Sequence, residues 1–254
     1  MERYSYEFLT ECHFHPAVDR HSFKLRVEPM TCKSQCVERS EIELTPATTL
    51  CRATDSFGNG VIYGLIEPAH HHFSVLSRGS VRCHPYQQTD PTPAEYYRYP
   101  TPLSGWNDAI RQLAVGLTPL QIMEAVNQRM RYERYATTNA TTAIEAFQLG
   151  AGVCQDFAHV MLAACRSAGY LARYVNGMVE VEGETHAWVE VHTDGRWLGY
   201  DPTFCRPVTA GYLKVAHGRD TNDCPINRGR FFNWTTEQMI IKCKVTHDTD
   251  RNRP

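Results

Sequence analysis

The sequence predicts an α+β protein in which a small β-sandwich precedes a second part made of helices packed on an antiparallel sheet. Three observations carry this. Short runs rich in β-branched and aromatic residues, broken by turn residues, fill positions 1–84. Helix-start signals then gather between Thr118 and Cys154, and strand-like runs return from Ala172 to Asp201. Strands, then helices, then strands again argue for two domains of α+β type. The expected boundaries are 1–84 for the β-domain, 85–103 for a connector, and 104–254 for the second domain, which includes a C-terminal strand.

In the first domain the runs Tyr4–Leu9, Phe23–Val27, Cys36–Leu44, Val61–Ile66 and Phe73–Val81 read as strands. Asp55-Ser56-Phe57-Gly58-Asn59-Gly60 is a strong turn, because Gly and Asn tolerate positive φ. The connector carries prolines at 85, 91, 93, 100 and 102 among Tyr86, Tyr96, Tyr97 and Tyr99. That composition suits an extended segment whose tyrosines pack on the neighbouring domain, in preference to lining a cleft.

Thr118-Pro119-Leu120-Gln121 offers an N-cap, a proline at N1 and a reciprocal N3 residue, with Ile122, Met123, Val126 and Met130 at helical spacing. Thr142 and Glu145 repeat the signal for a short helix that ends before Gly150. A third helix is predicted from Cys154 to Ala168, stopped by Gly169, with Phe157, Val160, Met161 and Ala164 as its buried stripe. Strands follow at Ala172–Val175, Met178–Val181, Thr185–His192 and Arg196–Asp201. A final half-buried strand alternates through Met239, Ile241, Cys243 and Val245.

The composition sets limits on function. A net charge of −2 offers no footprint for nucleic acid or an anionic membrane surface, and no apolar stretch is long enough to span a bilayer. The first residues lack the pattern of a secretory signal. Ten cysteines without a C-x-x-C pair then read as reduced thiols of a cytoplasmic protein, most of them small buried hydrophobes.

Against that background one Cys has a distinctive setting. Cys154 opens a helix behind Gly150 and Gly152. Unsatisfied N–H groups and the helix dipole favour a thiolate there, and the same N–H groups suit a developing oxyanion. The glycines let backbone approach a substrate, while Asp156 in the first turn slightly opposes the thiolate. In the strand around Thr185-His186-Ala187-Trp188, even positions His186, Trp188, Glu190 and His192 share a face. A two-residue Asp194-Gly195 loop pairs Thr193 with Arg196 and Trp188 with Asp201. Asp201 is then a diagonal neighbour of His186 and can fix its tautomer. His192 lies beside the turn, and His159 lies about 140° around the helix from Cys154, so neither is the base. The His70-His71-His72 run and the Cys12, His13, His15 group lack a standard zinc spacing, so neither metal nor cofactor is expected. Glu180, Glu182, Glu184 and Glu190 read as a solvated strand face in preference to a trap for basic substrates.

Several motifs together resemble the transglutaminase-like superfamily, and in particular its bacterial members with an N-terminal β-domain. They are Gly152-Val153-Cys154-Gln155-Asp156-Phe157-Ala158-His159, Ala172-Arg173-Tyr174-Val175, His186-Ala187-Trp188-Val189-Glu190 and Asp201-Pro202-Thr203. Thr137, Thr141, Ala143 and Glu145 fit in spacing, as do Gly218-Arg219-Asp220, Asp223 and Pro225; Asp55, Phe57-Gly58-Asn59, Pro68 and His70 are similar in the first domain. Leu171 stands where the family usually has Pro. The resemblance implies a papain-like core over 104–254, with Cys154 as nucleophile, His186 as base and Asp201 as orienting acid. It also implies a thioester formed from a peptide or protein amide. Cys154 N–H is the one oxyanion donor it allows to be named. No counterpart of the animal members' calcium sites is visible. Hydrolysis by a cysteine peptidase or amidase is the first expectation. Amine transfer by a protein-glutamine transglutaminase is the alternative, and a non-catalytic binding protein the third reading.

Overall fold

A computed structural model describes residues 1–85, 88, 89, 94–180 and 183–248. Tyr86, Pro91 and Pro93 of the expected connector, and Val181 and Glu182 of the expected strand face, lie outside the described residues. The chain opens with β1 (Glu2–Val18), β2 (His21–Leu25), β3 (Gln35–Thr45), β4 (Cys51–Thr54), β5 (Gly60–Ile66) and β6 (His70–Cys83). After β7 (Gln88–Thr89) and a 3₁₀ turn at Glu95–Arg98 come α1 (Asp108–Ala114), α2 (Pro119–Arg129), β8 (Arg131–Tyr132), α3 (Ala143–Leu149), β9 (Ala151–Gly152) and α4 (Cys154–Ser167). The last third holds β10 (Leu171–Val179), β11 (His186–Thr193), β12 (Arg196–Asp201), β13 (Arg206–Pro207), β14 (Tyr212–Gly218), β15 (Asn227–Arg230) and β16 (Thr236–His247).

The β-rich region is two antiparallel sheets, ordered β16-β1-β6-β3 and β15-β2-β5-β4. Alternation along β1 turns Tyr4, Tyr6, Phe8, Cys12 and Phe14 inward. The two sheets meet through contacts such as Phe23 of β2 on Phe73 of β6, with ring centroids 5.0 Å apart. The C-terminal strand departs from expectation: it pairs with β1 along its length, from Tyr4–His247 to His15–Thr236. Its alternating pattern gave the right element, but such a pattern does not name the partner strand.

The central sheet runs β13-β12-β11-β10-β14, with β7 also on β12. Helix α4 lies across one face, and α1, α2 and α3 pack around α4 in turn. This corrects the single-stripe expectation: every residue from Asp156 to Arg166 is buried. Arg166 is tolerated there because its guanidinium donates to the carbonyls of Tyr97, Ala172 and Arg219 and to Ser104 Oγ. Helices α2 and α3 start at the expected capping boxes. The two strands expected at 172–181 are one strand, β10; α1 and the fully buried β14 were not foreseen.

The opposite face of the sheet is covered by the N-terminal region and the connector. Tyr97 packs edge-on against Trp197, 5.5 Å between centroids, and Tyr96 meets Phe57, so these connector tyrosines do serve packing. β14 is an edge strand whose main-chain groups need partners. Gln35 accepts from Lys214 N–H at 2.9 Å and donates to its carbonyl at 2.7 Å. Asn59 makes the same two-bond clamp on His217, both at 2.8 Å.

Beneath this cover lies a buried ionic cluster, which corrects the solvated-face reading for Glu190. Glu180 and Glu184 are exposed, but Glu190 is 0% exposed. It is paired with Arg173 and with Lys214 Nζ at 2.7 and 3.0 Å. Burial disfavours the Glu190 carboxylate, but the two cations outweigh it and hold its pKa far below the usual range. Burial and Arg173 together push the Lys214 ammonium down to about 8. Glu190→Gln removes the charge that both cations share. It is expected to cost about 3–5 kcal/mol in urea unfolding, and a loss below about 1 kcal/mol would contradict this account of the cluster.

Candidate active site

The nucleophile candidate is placed by the junction of β9 and α4. β9 pairs in parallel with β8, bringing Tyr132 beside Gly152. Val153 is the extended N-cap, and its N–H donates to Asp156 Oδ2 at 2.8 Å. Thr137 Oγ1 donates to the same oxygen at 2.7 Å, which ties the loop before α3 to the start of α4. Burial raises the Asp156 pKa despite these hydrogen bonds. Gly152 is needed for this arrangement, because a Cβ there would lie 2.5 Å from Asp156 Oδ2. The space expected to admit substrate is therefore filled by Asp156. Gly150, at φ +68°, ends α3 in the left-handed conformation.

Cys154 itself is half-buried at the first position of α4. Its thiol reaches the Thr185 carbonyl at 3.9 Å and lines the same cleft as the His186 imidazole, whose charged form it favours. The N–H groups of Cys154 and Gln155 come too early in α4 to have an i−4 partner within the helix, whereas Asp156 N–H donates to the Val153 carbonyl at 2.9 Å.

The hairpin follows the register read from sequence: Thr193 pairs with Arg196 and Val189 with Tyr200. Asp194 and Gly195 both take positive φ, as a two-residue turn requires. His186 Nε2 lies 2.7 Å from Asp201 Oδ2, which leaves Nδ1 as the ring nitrogen that Asp201 does not engage. Asp201 is completely buried, and its charge is met by four donors. Thr203 N–H at 2.9 Å and Phe204 N–H at 3.1 Å reach Oδ1, while Tyr212 Oη joins His186 on Oδ2 at 2.7 Å. Neither Tyr212 nor Phe204 was singled out from sequence. Tyr212 lies on another strand with no local motif, and only the Asp-Pro-Thr run hinted that the chain turns back on its own carboxylate.

Electrostatics separate His186 from its rivals. Burial lowers the pKa of His186, but the Asp201 hydrogen bond and the contact with Cys154 outweigh it and raise it to about 9. His159 is fully buried against Tyr174, accepts from Thr221 N–H at 3.4 Å, and is pushed down to about 3 by burial and Arg166. His192 packs on Trp197, beside the turn. His70 is hydrogen-bonded to His21 at 3.2 Å and to the Pro68 carbonyl at 2.9 Å.

A cleft of about 330 Å³ opens over Cys154 and His186. Tyr132, Arg134, Asn139, Glu184, Thr185 and Phe204 are among its lining residues, and Arg134 lies 3.8 Å from Glu184. This arrangement can present a sulfur nucleophile, a proton carrier and backbone donors to one carbonyl group.

Comparison with known proteins agrees with this architecture. Residues 116–202 match the Transglutaminase-like superfamily, and residues 4–82 match the Bacterial transglutaminase-like N-terminal region. The two matches span most of the chain, which belongs to the transglutaminase-like superfamily and carries the bacterial N-terminal region. An uncharacterized protein of Mycobacterium leprae (strain TN) is 34% identical over 116 residues, covering 42% of this chain and 41% of that protein. One from Mycobacterium tuberculosis (strain ATCC 25618 / H37Rv) is 35% identical over 130 residues, covering 45% and 41%. The match thus spans about two fifths of the length of these curated relatives. A solved structure from Cytophaga hutchinsonii, described as a candidate cysteine protease, superposes with a TM-score of 0.81 at 19% identity. It covers 100% of this chain and 93% of that one, and shares the fold. No helix among the described residues is long and apolar enough to cross a membrane.

The raised His186 pKa has a defined sign. Its imidazolium is favoured in the folded protein, so the stability it contributes is complete below about pH 6.5 and is lost as pH rises through about 9. Asp201→Asn removes the strongest raising partner and leaves the burial. In an NMR titration the His186 ring should titrate near 9 in the unsubstituted protein and well below that in Asp201→Asn. The gap between their urea midpoints should be wide at pH 6 and narrow above pH 9. Identical ring titrations would show that Asp201 does not set the charge of His186.

Proposed function

We propose that this chain is a thiol-dependent acyl-transfer enzyme acting on amide bonds, with Cys154 as nucleophile, His186 as base and acid, and Asp201 as the group that orients His186. The observation that carries this reading is the 2.7 Å contact between His186 Nε2 and buried Asp201, in the cleft that Cys154 also lines. Asp201 fixes the proton on Nε2, so Nδ1 is free to exchange a proton with sulfur. The Cys154 thiolate attacks the carbonyl carbon, and the oxyanion that forms meets the Cys154 N–H. The C–N bond then breaks as the imidazolium gives its proton to the leaving amine, and a thioester remains. Water attacks the thioester, His186 takes its proton, and the acid product leaves with the thiol restored.

Hydrolysis of peptide or protein amides, as by a cysteine peptidase or amidase, is our first reading of the acceptor. The candidate protease from C. hutchinsonii that shares this fold supports it. Amine transfer, as in a protein-glutamine transglutaminase, uses the same thioester with a different acceptor. A non-catalytic role would leave the matched charges of Cys154, His186 and Asp201 without a use. We further propose a reducing, cytoplasmic location, supported by ten cysteines that include no C-x-x-C pair.

Two measurements test this. Iodoacetamide should alkylate Cys154 ahead of the other nine cysteines at pH 6, and His186→Ala should abolish that lead; uniform labelling would reject the thiol mechanism. A peptide library incubated with a labelled primary amine and read by mass spectrometry should give cleaved or deamidated products that Cys154→Ala abolishes. His186→Ala should lower that rate by about 10²-fold or more. Amine incorporation into Gln as the dominant product would reverse the preference for hydrolysis.

A further inference from the structure

Phe204 stacks on the His186 imidazole, with centroids 4.8 Å apart and planes only 12° from parallel. The His186 ring is 7% exposed, whereas Phe204 is 45% exposed and lines the cleft. The aromatic ring is therefore the surface that the cleft presents where the imidazole would otherwise face solvent. Its position is built in. The Phe204 N–H donates to Asp201, Cys205 next to it takes a positive φ of 53°, and the Arg206 guanidinium backs the ring at 5.1 Å. Arg206 is held in turn by its own hydrogen bond to Tyr212 Oη at 2.8 Å.

We infer that Phe204 forms the leaving-side subsite, so that the enzyme selects amides whose departing amine carries a bulky apolar or aromatic substituent. This rests on the acyl-transfer reading above and specifies its substrate. The two sides of the scissile bond are distinguished by the path of the proton. The acyl carbon binds to Cys154 at the helix end, whereas the departing nitrogen must come within hydrogen-bond reach of His186 to be protonated. A substituent on that nitrogen meets the exposed edge of Phe204, whose two faces are taken by His186 and Arg206. Tyr132, 49% exposed and paired through β8 with Gly152, lies on the Cys154 side and so contacts the acyl part. Apolar or edge-to-face contact with the Phe204 edge would thus discriminate among leaving amines and not among acyl groups.

The test is a series of peptide amides with one acyl part and varied leaving amines: ammonia, glycine amide, leucine amide and phenylalanine amide. The unsubstituted protein should favour the last two by about tenfold or more in kcat/KM. Phe204→Ala should erase that ratio, Phe204→Leu should keep the leucine preference, and Tyr132→Ala should leave the ratio as it was. Alkylation of Cys154 by iodoacetamide, which has no leaving amine, reports whether the Phe204→Ala site is intact. Acylation of Cys154 with a leaving-side ratio unchanged by Phe204→Ala, or with no apolar preference at the outset, would overturn the subsite alone. Failure of the unsubstituted protein to form any Cys154 acyl-enzyme would overturn the acyl-transfer reading and the subsite with it.

Discussion

Asp201 is sealed from water, and a sealed carboxylate is tolerable only when its oxygens are met by donors. Each donor here also positions something else. The two backbone N–H groups of Thr203 and Phe204 wrap the following turn around the carboxylate and set Phe204 against the imidazole. Tyr212 ties in the far strand β14, and His186 is aligned toward Cys154. One desolvated carboxylate thus fixes the His186 imidazole, the Phe204 ring and the approach of a strand. Its loss would be felt as a change in the charge of His186 as well as in stability.

The same sheet face carries a second buried anion, Glu190, neutralised by Arg173 and Lys214. The Arg173 guanidinium also lies 4.1 Å above the Trp197 ring, which packs against Tyr97 of the connector and His192 of β11. The N-terminal region closes over this cluster and clamps β14 through the amides of Gln35 and Asn59. Gly183, in the loop before His186, exchanges both main-chain hydrogen bonds with Cys243 of the C-terminal strand. The β-sandwich is therefore joined to the cleft through β14 and through the chain segment that leads into His186.

Local signals carried much of this. The capping boxes at Thr118 and Thr142, the two-residue turn at Asp194-Gly195 and the helix start at Cys154 involve neighbours in sequence, and periodicity and turn chemistry describe such neighbours well. What escaped detection depends on residues far apart. Glu190 sits at an alternating strand position that would be solvated on a one-sided sheet. It is buried because the N-terminal region covers the second face. Tyr212 and Phe204 reach the site through Asp201, and no spacing rule links residues 201 and 212. The C-terminal strand had the right alternation, but its pairing with β1 is set by a chain return across more than two hundred residues.

The central claim is that Cys154 becomes acylated because His186, held by Asp201, serves it. Mixing the protein with p-nitrophenyl acetate and following both the released phenolate and the intact mass tests this most directly. The account predicts a burst of about one equivalent, a single added acetyl group that maps to Cys154, and loss of the burst in His186→Ala. Acetyl groups scattered over the other cysteines, or a burst that survives His186→Ala, would contradict it.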